Sequence, residues 1–168
     1  VPSLHRVLLA AAASPRIRRI VVVAAASRIA SYAALPWFAD RVTVVVAGGA
    51  TRAASVLNGL DAMRRAPGDA AAALLVHDAA RPGVRREDFE QVADAAMRSG
   101  AAAPALRLVD TIKAVDPSRP TSGAGTLDRD GMRAVQTPQG IAARHFDRVA
   151  ERLASHGATA TDELAVAE

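Results

Sequence analysis

The chain has 168 residues, which suits one domain, and 51% of them are hydrophobic, so it can bury a core and is not a disordered chain. It has no cysteine, which excludes disulfides and cysteine–zinc sites, and no apolar run long enough to span a bilayer. The formal charge is +4, but the arginines are scattered and Lys113 is the only lysine, so we expect a cytoplasmic protein that binds neither nucleic acid nor membranes.

Helical and strand-like patterns alternate through the first hundred residues. Apolar residues at helical spacing predict four helices, over 4–11, 28–34, 53–63 and 89–97. Continuous apolar runs predict three buried strands, Ile20–Val23, Val42–Val46 and Ala73–Val76. This alternation predicts a doubly wound, Rossmann-like α/β fold, in which a mostly parallel sheet has helices on both faces.

The pattern changes after Gly100. We expect one more strand at Ala103–Leu106, followed by a β-arm that projects from the sheet over about 107–134. A hairpin of this kind cannot bury a face alone, so the arm is expected to pack against a second copy of the chain. The helical pattern returns over Arg144–Leu153. The sequence therefore predicts a single domain, 1–168, with a dimerisation arm.

The end of the second predicted strand has the features of a ligand-binding turn. Val42–Val46 runs into Gly48 and Gly49, and Arg52 and Ser55 follow at the start of the next helix. Ligands bind beyond the carboxyl ends of parallel strands, glycines allow close approach, and a helix N-terminus attracts anions. A pair of glycines is equally compatible with an ordinary strand–helix turn.

A carboxylate marks the end of the third predicted strand. Asp78 stands where it could meet a metal ion or a ribose hydroxyl, and Arg81, three residues later, could point at a phosphate. In the alternative interpretation, Asp78 caps the next turn and Arg81 pairs with Glu87 or Asp88. Spacing alone does not decide between the two.

Residues 77–82, His-Asp-Ala-Ala-Arg-Pro, resemble the signature of the 2-C-methyl-D-erythritol 4-phosphate cytidylyltransferases of the non-mevalonate isoprenoid pathway. Five further segments resemble the family in the same order: 47–55, 109–113, 127–129, 135–140 and 157–163. The resemblance implies a homodimer that transfers CMP from CTP to a polyol phosphate and releases pyrophosphate. It also implies Mg²⁺, or another divalent cation, as cofactor.

The resemblance further implies roles for individual residues. The CTP site would consist of Gly48, Gly49, Arg52, Ser55, Asp78 and Ala79. The site for the polyol phosphate would consist of Thr111, Arg129, Thr137 and Thr161, with Thr111 and Arg129 supplied by the arm of the partner. Asp78, Arg81 and Arg129 would be catalytic, and Asp78 would help to hold the metal ion.

Without the resemblance, the arm residues have simpler interpretations. Thr111 could be a solvated strand residue, and Arg129 could form a surface ion pair with Asp128 or Asp130, which flank it. Thr137 could lie in a turn that Pro138 imposes.

Other functions also stay open. A ribitol 5-phosphate cytidylyltransferase would share most of these motifs. A catalytically silent dimeric module would use the arm for association alone. A nucleic-acid-binding domain is a third alternative. The resemblance also leads us to expect that the family's phosphate-binding loop, which follows its first strand, and its last strand lie outside these 168 residues. We therefore expect the 168-residue chain to bind CTP weakly and to turn over little or nothing.

Overall fold

The computed structural model describes residues 2–35, 42–65 and 70–156, which belong to two compact units. The first unit comprises Val1–Ala103 and Thr137–Glu168, and the second is Pro104–Gln136. The predicted arm, about 107–134, falls within the second unit. None of the helices in the described ranges has the length and apolarity that a membrane span requires.

The elements follow the chain in this order: α1 (Ser3–Ala12), β1 (Ile20–Ala24), α2 (Ile29–Ala33), β2 (Val42–Ala47), α3 (Arg52–Arg65), β3 (Ala73–Val76), α4 (Arg86–Ser99), β4 (Ala101–Ala102), β5 (Ala105–Arg107), β6 (Ile112–Asp116), β7 (Arg119–Leu127), β8 (Arg133–Val135), β9 (Gln139–Ala142) and α5 (Phe146–His156). Strands β5 to β8 belong to the second unit. The four helices and three strands predicted before Gly100 are confirmed.

Helix α4 shows how local sequence fixes an element. The carboxylate of Asp88 accepts the backbone N–H of Arg85 at 2.8 Å, which satisfies a donor that the helix itself cannot pair. Glu87 and Asp88 also place negative charge in the first turn, where the helix dipole favours it. The helix ends at Gly100, whose φ of 100° is in the region that glycine adopts most easily. The apolar face between these ends buries Phe89 and Ala96.

The strands of the first unit pair in both directions. β1 and β2 are parallel, whereas β9 lies between β3 and β4 and is antiparallel to both. The predicted α/β class is confirmed; the described strands of this unit form two sheets, a parallel pair and an antiparallel set of three. The antiparallel pairs come from β9, which the sequence analysis did not predict as a strand. Its four residues, Gln-Gly-Ile-Ala, carry a single β-branched side chain and follow Pro138 directly.

Helices cover β9 on both faces. Ile141 is fully buried with Ala53 of α3 and with Val149 and Leu153 of α5. Gly140 faces the other way, against α4. Because alternate residues of a strand point to opposite faces, this one strand is packed between two helical layers, as the sequence analysis expected for the sheet.

The strand predicted at Ala103–Leu106 overlaps the structure only at Ala105 and Leu106, the first two residues of β5. β4 ends at Ala102, β5 begins at Ala105, and the boundary between the two units falls at Pro104. Proline has no N–H to donate to a ladder and restricts the residue before it, which fits the gap between the two strands. The predicted strand therefore began two residues too early, and β4 was not predicted.

The second unit consists of two antiparallel pairs, β5 with β8 and β6 with β7. At the tip of the β6–β7 hairpin, the carboxylate of Asp116 accepts the backbone N–H of Ser118 at 2.9 Å and its hydroxyl at 2.7 Å. Large apolar side chains are exposed along these strands, including Leu106 at 59% and Val115 at 51%. The unit therefore leaves much of its apolar surface uncovered within one chain.

Gly140 provides a test of how closely α4 packs on β9. A Cβ there would lie 2.8 Å from Cγ1 of Val92 and 3.0 Å from Cβ of Ala96. We expect Gly140→Ala to lower the free energy of unfolding by about 1–3 kcal/mol, because the strand or the helix must move. Urea unfolding followed by circular dichroism measures it. Gly83→Ala is the matched control, since a Cβ at Gly83 meets nothing within 4 Å. Equal stability of the two variants would contradict the close packing.

Candidate active site

The turn between β2 and α3 is closed by its own hydrogen bonds. The hydroxyl of Ser55 accepts the N–H of Gly49 at 3.1 Å and donates to the carbonyl of Thr51 at 2.9 Å. A Cβ on Gly49 would lie 2.4 Å from Cβ of Ala54, so the turn requires glycine at this position. The structure thus brings Gly48, Gly49 and Ser55, three of the predicted CTP residues, into one compact turn.

Ion pairs join this turn to the end of β3. The carboxylate of Asp78 lies 3.1 Å from Nε of Arg81 and 3.8 Å from Nη2 of Arg52. The two acids of the alternative interpretation have other partners as well: Asp88 pairs with Arg85 at 3.1 Å, and Glu87 pairs with Arg86 at 3.2 Å. The two strand ends that the sequence analysis marked separately are therefore one site, with Asp78 between two guanidinium groups.

Asp78, Arg52 and Arg81, which we call the Asp78 cluster, are open to solvent. The side chain of Asp78 is 39% exposed, and those of Arg52 and Arg81 are 41% and 44% exposed. Ion pairs this exposed contribute little to the free energy of folding, because water screens them. Guanidinium groups at a strand end are suitable donors for an anionic ligand such as a phosphate. Ala79, the remaining predicted CTP residue, is exposed beside Asp78.

Thr137, two residues before β9, contacts the same end of β3. Its hydroxyl oxygen accepts the backbone N–H of Asp78 at 3.3 Å and lies 2.9 Å from Nδ1 of His77. The other ring nitrogen of His77 lies 3.1 Å from the carbonyl oxygen of Arg81. The edge of the ring contacts Phe89, with ring centroids 5.3 Å apart. Burial lowers the pKa of the His77 imidazole below its ordinary value, which favours the neutral ring.

Two more predicted residues lie together in the second unit. Thr111 and Arg129 line one surface cleft of about 300 Å³. Nη1 of Arg129 donates a hydrogen bond to the carbonyl of Val109, and among the ion pairs of the described residues none joins Arg129 to its two flanking aspartates. Thr111 precedes β6 and is not a strand residue. Thr161 lies outside the described residues.

The metal ion that the resemblance implies can be tested against the donors present. Within the described ranges, no group of three or more His, Cys, Asp or Glu side chains could hold a metal ion. Mg²⁺ often takes one or two carboxylates from the protein and its other ligands from phosphates and water. The half-exposed carboxylate of Asp78 fits an ion bound in that way, and it does not form a cage without the nucleotide.

Sequence reasoning missed the contacts of two residues of the site. It left His77 without a role of its own, although both ring nitrogens lie within hydrogen-bonding distance of other residues of the site. It also missed Asn58, whose side-chain amide donates to the carbonyl of Ala47 at 2.9 Å and ties α3 to the end of β2. Asn58 lies one helical turn after Ser55, on the same side of α3, and this spacing was the available signal.

Comparisons with known proteins agree with the geometry. The sequence model of the 2-C-methyl-D-erythritol 4-phosphate cytidylyltransferase family matches residues 1–168. A Streptomyces coelicolor protein of that name is 42% identical over 97% of this chain and 60% of its own length. One from Pelodictyon phaeoclathratiforme is 37% identical over 77% of this chain and 54% of its own length.

A solved structure is also similar. The crystal structure of 2-C-methyl-D-erythritol 4-phosphate cytidylyltransferase from Thermus thermophilus matches with a TM-score of 0.75 and 30% identity. The match covers 98% of this chain and 72% of that one. Against the two curated relatives, the chain spans 54% and 60% of the longer sequence.

Proposed function

The chain belongs to the 2-C-methyl-D-erythritol 4-phosphate cytidylyltransferase family, and on that basis we propose that its site binds CTP and serves the transfer of CMP to 2-C-methyl-D-erythritol 4-phosphate, with little or no turnover by the 168 residues alone. The products are the CDP-linked methylerythritol and pyrophosphate, in the formation of isoprenoid precursors. The observation that carries this proposal is the cluster of Arg52, Asp78 and Arg81, which joins the glycine turn to the end of β3.

The nucleotide half of the proposal rests on the glycine turn and the Asp78 cluster. We assign Gly49 to the close approach of the backbone to the base, and Asp78 to a hydrogen bond from a ribose hydroxyl. Arg52 and Arg81 contribute the positive charge that a triphosphate requires. Bound Mg²⁺ would add further charge neutralisation at the triphosphate, with Asp78 as its protein ligand.

The reaction itself needs no covalent protein intermediate. An oxygen of the acceptor phosphate attacks the α-phosphorus of CTP, and the bond to the β-phosphate oxygen breaks as pyrophosphate leaves. Both reactants are anions, so the protein's contribution is to hold them in line and to offset their charge. Arg81 at the strand end, and Arg129 in the second unit, are the guanidinium groups that we assign to this task.

The acceptor half of the proposal includes Thr137 in the first unit and the cleft of Thr111 and Arg129 in the second. We assign the cleft to the acceptor phosphate, because a hydroxyl and a guanidinium are suitable donors for it. We also propose that the second unit binds another copy of the chain, so that each cleft serves the site of the partner. The exposed apolar side chains of the second unit support this part of the proposal.

Nucleotide binding can be measured residue by residue. Titration of the ¹⁵N-labelled chain with CTP should shift the amide resonances of Gly48, Gly49 and Ala79. We expect Arg52→Gln to weaken CTP binding about five- to tenfold, the loss of one charge-assisted contact. Arg16→Gln is the matched control: its guanidinium is 44% exposed, against 41% for Arg52, and pairs with Asp94 at 2.5 Å, apart from the site. Equal affinity of the two variants would argue against the proposed site.

The identity of the acceptor separates this proposal from the ribitol alternative. Calorimetric titration of the CTP-bound chain with each polyol phosphate should give tighter binding for methylerythritol phosphate than for ribitol 5-phosphate. Pyrophosphate release, measured in parallel, reports turnover. Preference for ribitol 5-phosphate would establish the alternative, and failure to bind either acceptor or CTP would favour the silent dimeric module.

Association through the second unit predicts a concentration-dependent dimer. In sedimentation velocity, Leu106→Asp should shift the chain toward the monomer, because a charge replaces an apolar side chain at the proposed contact. Leu9→Asp is the matched control, since Leu9 of α1 is 55% exposed and Leu106 is 59% exposed. A monomeric parent chain at about 100 µM, a concentration well above typical dimer dissociation constants, would contradict the proposed dimer.

A further inference from the structure

His77 connects three parts of the first unit through its ring. Nδ1 lies 2.9 Å from the hydroxyl of Thr137, and Nε2 lies 3.1 Å from the carbonyl oxygen of Arg81. The hydroxyl oxygen of Thr137 also accepts the backbone N–H of Asp78 at 3.3 Å. The ring is half-buried, and its edge lies against Phe89. These contacts use both nitrogens of the imidazole.

The chemistry of the partners sets the direction of each hydrogen bond. A carbonyl oxygen can only accept, so Nε2 carries the proton and donates to Arg81. In the neutral ring Nδ1 is then the acceptor, and the hydroxyl of Thr137 donates to it. The N–H of Asp78 occupies one of the two lone pairs on the same oxygen. Thr137 is left with one lone pair and with no proton to offer a ligand.

We propose that His77 is a positioning residue for the acceptor site. Because Nδ1 of His77 accepts the hydrogen bond that the hydroxyl of Thr137 donates, Thr137 can only accept a hydrogen bond from a ligand. It therefore binds a hydroxyl group of the polyol and not the phosphate. An ionised phosphate oxygen has no proton to donate, so it gains nothing from the remaining lone pair of Thr137. The polyol chain carries hydroxyl groups that can donate. This inference rests on the proposed function, since it takes Thr137 to contact the acceptor.

The orientation of the network is testable without any ligand. Long-range ¹H–¹⁵N NMR of the histidine rings distinguishes a protonated ring nitrogen from a bare one, and His77→Gln identifies the resonances of His77. We expect Nε2 to be protonated and Nδ1 to be bare. Thr137→Val, which removes the donor and keeps the shape, should shift the Nδ1 resonance and leave Nε2 nearly unchanged. A protonated Nδ1 in the unliganded chain overturns the proposal, whether or not the proposed function holds.

Two substitutions at His77 separate its contacts. The amide of asparagine reaches the place of Nδ1, and that of glutamine reaches the place of Nε2. His77→Asn should therefore keep a partner for the hydroxyl of Thr137, whereas His77→Gln should lose it and keep the contact with Arg81. We expect methylerythritol phosphate to bind the CTP-loaded His77→Gln chain about tenfold more weakly than the parent and His77→Asn to stay within about threefold, as for one hydrogen bond.

Methyl phosphate at about pH 8 is the control ligand for the nature of the contact, because this monoester dianion has no proton to donate. Calorimetric titrations of the parent and of Thr137→Val should give the same affinity for methyl phosphate but about tenfold weaker binding of methylerythritol phosphate by the variant. An equal loss for both ligands would mean that Thr137 meets the phosphate, which overturns the proposal. If the parent binds no polyol phosphate, the proposed function fails and the acceptor role of Thr137 fails with it, while the NMR result still decides the orientation of the network. Thermal unfolding of each variant checks that it is folded.

Discussion

The arrangement of the candidate site depends on the register of β9 against β3. Val76 lies opposite Gln139 at the end of this antiparallel ladder, and just beyond it the hydroxyl of Thr137 accepts the backbone N–H of Asp78 at 3.3 Å. A slip of one residue would turn Gly140 and Ile141 to the opposite faces. The close approach of α4 tolerates no Cβ at Gly140, so the slipped register would force the side chain of Ile141 into the helix. The packing of Gly140 against α4 thus fixes the register that brings the hydroxyl of Thr137 to the end of β3.

That register also explains why the polar groups of the site are ordered although most of them are partly exposed. Ion pairs around Asp78 contribute little to stability, because water competes for the same groups. The hydrogen bonds that run from Asp78 through Thr137 and His77 to Arg81 connect the main chain at two points of one short loop. A loop held in this way presents its carboxylate and guanidinium in one direction, which is what binding a highly charged ligand requires.

About half of the site could be predicted from the sequence. The glycine turn and the Asp78–Arg81 loop are short segments that can be recognised from their own residues. Glycines after an apolar run, and a carboxylate at the end of a strand, indicate a ligand-binding turn without knowledge of the rest of the fold. The joining of these segments by Arg52 was not predicted, nor was the contact of His77 with Thr137, which lies sixty positions later in the chain. The role of the second unit as a dimerisation arm stays a prediction.

The sequence by itself determined the α/β class and the elements before Gly100, because apolar periodicity and helix-ending residues act within a few positions of one another. Only the tertiary structure decided the place of β9, the separation of β4 from β5 at Pro104, and the single site formed by two strand ends. β9 is too short and too weakly β-forming to be recognised from its own residues. It is a strand because α3 and α5 pack on one of its faces and α4 on the other, and these contacts come from distant parts of the chain.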